Sequence, residues 1–70
     1  MEITAYHKWL FREYGHDRHL LAAEIMWMAA GGNEMAFDLL TSTGDKTYNP
    51  DTAFKAADWV IDNVPKDGTK

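Results

Sequence analysis

The sequence predicts a single all-α domain, a compact bundle of about four short helices over about 3–14, 18–30, 34–41 and 50–64. Three observations carry this. Apolar residues recur at three- and four-residue spacing in most of these segments, the signature of a helix with one buried face. Each segment is bounded by a cap or a breaker: Gly15 and Asp17, Gly31–Gly32–Asn33, Asn49–Pro50, and Pro65. The 70 residues are 46% hydrophobic, which suffices for one packed core and leaves no room for a second domain. The domain is accordingly placed at 1–64, with 65–70 a frayed tail.

In the first segment Ile3, Tyr6, His7, Leu10, Phe11 and Tyr14 share a face, with Lys8 and Arg12 opposite. The stretch "EITAY" alone is also compatible with a strand. Gly15 is expected in the left-handed position that ends helix one, and Asp17 as the N-cap of helix two. The turn is short, so these two helices should pack as neighbours. Helix two, 18–30, is apolar nearly all round and interrupted only by Glu24. A helix of that kind is either the centre of a domain or part of a partner interface, and self-association through 18–30 is one option.

Gly31 or Gly32 then closes helix two and Asn33 starts the next. Helix three is expected to carry Met35, Phe37, Leu39 and Leu40, with Glu34 and Asp38 on a polar edge. "TSTGDKTYNPD" reads as a polar loop ending in Asn49 as N-cap and Pro50 at the first helical position. Helix four sets Ala53, Phe54, Ala57, Val60, Ile61 and Val64 against Asp51, Lys55, Asp58 and Asp62 on its other side. Pro65 stops it.

Bulk properties narrow the function. Cysteine is absent, so neither disulfides nor thiolate zinc can stabilise so short a chain. There is no apolar run of transmembrane length, and "MEITAYHKW" lacks the order of a signal peptide. The expectation is a soluble cytoplasmic protein. Eleven acidic against seven basic side chains leave a net charge of −4, and the basic ones are scattered. That disfavours direct nucleic-acid binding and favours a basic protein partner, including one that itself handles nucleic acid.

"GHDRHLLAAE" raises the question of chemistry, because His16 and His19 stand three apart around Asp17, with His7 upstream. Two histidines at that spacing share a metal only inside one helix, and the Gly15 break puts His16 outside it. A site would need His7, His16, His19 and a carboxylate such as Asp17 or Glu13 to converge. His7 falls within the apolar stripe and reads as a buried neutral histidine with one hydrogen-bonded nitrogen. The "HD" pair is also found in metal-dependent phosphohydrolases, which need further ligands than this chain can supply.

Nucleophilic catalysis has little to work with: Ser42 is the one serine and has no G-x-S-x-G setting. "TSTGDK" lacks the spacing and the preceding strand of a phosphate-binding loop. Glu24 is expected either to pair with Arg12 or Arg18 or to sit half-buried with a raised pKa. "AAEIMWMAAGGNEMAFDLL" has the helix-turn-helix outline, but its packing position is Trp27 or Met28 and its would-be recognition helix presents Glu34 and Asp38.

What remains is surface. Trp59 lies roughly 150° from the apolar stripe of helix four at about 100° per residue. Trp9 sits at the margin of helix one. Tryptophan among charges is the composition of an interaction hot spot. Asp58 and Asp62, one turn apart, offer a partial phosphate mimic; the alternative is a solvated polar face.

"AYHKWL" followed by "DRHLLAAEI" resembles the start of the small YozE-type domains, which are similar to sterile alpha motif bundles. The likeness rests on Tyr6, Trp9, Leu10, Leu21, Ala22, Glu24 and Ile25, under half of the chain, and implies a helical bundle with no defined activity. In general look, short, acidic and helical, the chain is also similar to small phage inhibitors of host machinery. The sequence reading is therefore a non-enzymatic, cofactor-free protein-binding module, a regulator or inhibitor of a basic nucleic-acid-handling protein. Its partner-binding residues would be Trp59, Trp9, Lys55, Asp51, Asp58 and Asp62. The alternatives are a helix-turn-helix-like nucleic-acid binder and a metal protein using His16, His19, Asp17 and His7.

Overall fold

A computed structural model describes residues 2–43 and 49–65. It is an all-α bundle: α1 (Ala5–Tyr14), α2 (Arg18–Ala30), α3 (Glu34–Thr43) and α4 (Pro50–Asn63), with no strand among the described residues. "EITAY" is not a strand. Of the tail expected at 65–70, residues 66–70 lie outside the described residues, as do 44–48 of the loop "TSTGDKTYNPD".

α1 begins two residues later than its apolar spacing suggests, because Thr4 caps it. The Thr4 hydroxyl accepts from the His7 backbone N–H at 3.4 Å, while His7 Nδ1 accepts from the Thr4 N–H at 3.0 Å. This is a reciprocal capping box with histidine in the place usually held by Glu or Gln. The helix ends at Gly15, which is right-handed (φ −66°, ψ −10°) and not left-handed as expected. Its glycine is there for space: a Cβ would stand 2.5 Å from the Phe11 carbonyl oxygen and 2.6 Å from the Phe11 ring.

Asp17 caps α2, its carboxylate accepting from the N–H groups of His19 at 3.0 Å and Leu20 at 3.3 Å. At the other end the Gly32 N–H reaches the Ala29 carbonyl and the Asn33 N–H reaches that of Met28. That double bond pattern is a Schellman motif with Gly32 at the left-handed position, φ +96°. No heavy atom lies within 4 Å of a Cβ placed there. Gly32→Ala is therefore expected to cost about 1 kcal/mol of purely conformational origin, and Gly32→Asn less, in paired urea melts.

Asn33 caps α3 through bonds from the N–H groups of Met35 and Ala36. α3 runs past Thr41 to Thr43, whose hydroxyls bond back to carbonyls one turn earlier. Asn49 caps α4 at 2.8 Å from the Thr52 N–H, with Pro50 at the first turn. α4 ends at Asn63, and Val64 is already extended.

α2 is the central helix and packs against the other three, with α4 also touching α1 and α3. Leu10, Leu21, Ile25, Leu39, Val60 and Thr52 are the largest fully buried side chains. Ala22, Ala29, Ala36, Ala53, Ala56 and Ala57 join them, so the helices approach closely and order little side-chain entropy in doing so. The buried Thr52 hydroxyl is satisfied by Asn49 Oδ1 at 3.2 Å. Helix three's expected core is corrected: Ala36, Leu39 and Leu40 are buried, whereas Met35 and Phe37 are exposed.

Candidate functional site

At about 100° per residue, the buried positions of α2, Leu21, Ala22, Ile25 and Ala29, define one side. Leu20, Ala23, Trp27 and Ala30 fall on the opposite side, and all four are exposed. Trp27 is 77% exposed and Leu20 39%. The outer stripe of the central helix is thus apolar, where a bundle helix ordinarily carries charge. The structure also settles which tryptophan faces water.

It is not Trp59. Trp59 is half-buried, packed against the core and edge-on to the His7 ring at 5.0 Å. The 150° estimate fails because α1 packs on α4 and sets His7 against Trp59. Trp9 is half-buried too, stacked on Tyr6 at 6.1 Å and edge-on to Tyr14 at 5.8 Å. Tyr6 donates to Met28 Sδ at 3.6 Å, and burial, with Tyr14 nearby, pushes its pKa up to about 12. These rings tie α1 to the bundle.

The acidic edge divides in the same way. Asp51, Lys55 and Asp62 are exposed. Asp58 instead receives a two-pronged bond from Arg18, Nε and Nη2 each 2.8 Å from a carboxylate oxygen. The guanidinium also lies 4.4 Å over the Phe54 ring. The bond from Arg18 holds the Asp58 carboxyl below the usual carboxylate range. Asp58 and Asp62 are therefore not a free pair of carboxylates available to mimic phosphate.

The same pairing takes Arg18 away from Glu24. Glu24 lies instead beside Tyr14, whose hydroxyl is raised by desolvation and then by the Glu24 and Glu13 charges.

The histidines part company. His7 is 5% exposed, and its Nδ1 is occupied by Thr4, so the ring proton is on Nε2. Burial pushes its pKa down. His16 and His19 are exposed, and His19 sits edge-on to Phe54 at 5.2 Å with Nδ1 3.9 Å from Asp17. Among the described residues no three of the His, Asp and Glu side chains are placed to hold a metal. Nor is any helix of the described residues long and apolar enough to cross a membrane.

A groove runs between the start of α1 and α3, its lining mainly apolar, with Tyr6 and Met35 beside the buried Leu39, and with Glu2 and Asp38 also lining it. The sequence pattern offered helix two as an interface or self-association face without singling out this stripe, and gave no sign of the groove. The stripe had a signal: no polar residue stands at 20, 23, 27 or 30 to face water.

Compared with known protein families, curated proteins and solved structures, the chain matches none. Of the seven residues on which the expected likeness to YozE-type domains rests, Leu10, Leu21, Ala22 and Ile25 are buried, as core positions of any helical bundle would be.

Proposed function

We propose that the protein is a non-enzymatic binding module, a small acidic regulator or inhibitor that docks on a basic, nucleic-acid-handling protein through the outer stripe of α2. The supporting observation is the exposed apolar row Leu20, Ala23, Trp27 and Ala30 on the helix that also organises the core. A rigid helix presenting a tryptophan among small side chains suits a partner's apolar groove, with Trp27 as the anchor. The net charge of −4 favours a basic partner and speeds encounter with it.

Wild type, Trp27→Ala and Trp59→Ala, immobilised and exposed to lysate of the source organism, test this reading. Trp27→Ala is expected to weaken partner capture roughly 30-fold, from about 2 kcal/mol of lost binding. Its folding stability should change by less than about 0.5 kcal/mol. Trp59→Ala should instead lower thermal stability. Equal recovery by wild type and Trp27→Ala would sink the proposal. A dimer in sedimentation that dissociates in Trp27→Ala would assign the stripe to self-association instead.

A further inference from the structure

The groove between α1 and α3 is separate in its chemistry from the α2 stripe. Its lining is mainly apolar, and its charged lining residues are the two carboxylates Glu2 and Asp38. Among the described residues neither carboxylate is in an ion pair. His7, which also lines it, is buried, and its Nδ1 is engaged by Thr4. An apolar trough with anionic walls complements one kind of protein side chain: a long aliphatic stem ending in a cation.

We propose that this groove receives an arginine side chain of the partner, its methylenes against Tyr6 and Met35 and its guanidinium against Asp38 and Glu2. The inference rests on the reading that the partner is a basic protein, and names the contact by which basic character would be recognised. Arginine fits better than lysine because its planar head can meet carboxylates with two parallel bonds and is more weakly hydrated.

The test titrates the full, isotope-labelled chain with the peptide acetyl-Leu-Arg-Leu-amide and follows backbone amide shifts. A citrulline analogue of the same shape but no charge serves as the comparison. Shifts are expected at Tyr6, Met35, Leu39 and Ser42, and should be lost with the citrulline peptide. Binding should weaken roughly tenfold in Asp38→Asn, an exposed position whose replacement leaves the core untouched. Absence of shifts, shifts located elsewhere, or equal binding by the citrulline peptide or by Asp38→Asn would overturn the proposal. Trp27→Ala should bind the peptide like wild type. If the peptide fails while Trp27→Ala still weakens partner capture, the groove assignment falls and the docking reading stands.

Discussion

Ile25→Ala is expected to lower stability by about 3 kcal/mol, measured as a shift of the urea midpoint at unchanged slope. Ile25 is fully buried in the helix that packs against the other three. Its loss removes apolar burial and leaves a cavity that rigid helices on three sides cannot close. A 70-residue domain has roughly 3.5–10 kcal/mol of total stability, so this one side chain accounts for a large part of it. The corresponding fall in Tm is roughly 4–8 °C per kcal/mol for a domain of this size. Ala23→Ser, two positions away on the outer stripe, should change stability by less than about 0.5 kcal/mol. Equal effects at the two positions would mean that α2 does not divide into an inner and an outer side.

Acidification is expected to destabilise the domain through His7. In the folded state its imidazole is buried, and its Nδ1 accepts the Thr4 N–H and lies 3.3 Å from the Thr4 hydroxyl. Protonation would set a donor against a donor and undo half of the capping box. Burial lowers its pKa, with Glu2's backbone opposing and the N-terminal charge adding a smaller push in the same direction. The unfolded chain therefore takes up a proton that the folded chain refuses. The stability due to neutral His7 is fully present above the ordinary histidine value of about 6.5 and is lost as pH falls through the lower folded value. His7→Gln keeps an acceptor suited to the third position of a capping box but cannot titrate. Its stability should be flatter than that of wild type as pH falls below about 6.5. Parallel profiles for the two proteins would show that His7 plays no part in the acid response.

The helices were legible because their ends are local. Asp17, Asn33 and Asn49 bond to N–H groups two or three residues away, so their role needs no tertiary partner. Thr4 was missed because its reciprocal partner at the third position is a histidine. Gly15 was misread because its constraint is contact with Phe11 and not a positive φ. The candidate site was much less legible. Trp9 stands at the margin of one helical stripe and Trp59 far from the other, and whether such a position is covered or bare depends on which side chains pack over it. His7 packs against Trp59 and Tyr6 against Trp9, while nothing among the described residues closes over Trp27 to the same degree.

The residues alone therefore settle the class, the number of helices and their boundaries to within two residues, since spacing and caps act over a single turn. Which apolar residues stay in water was decided only by the tertiary structure. α2 is apolar nearly all round, so its own periodicity could not say which side faces the core. That choice was made by where α3 and α4 pack on α2, which puts Ile25 in the core and leaves Trp27 outside.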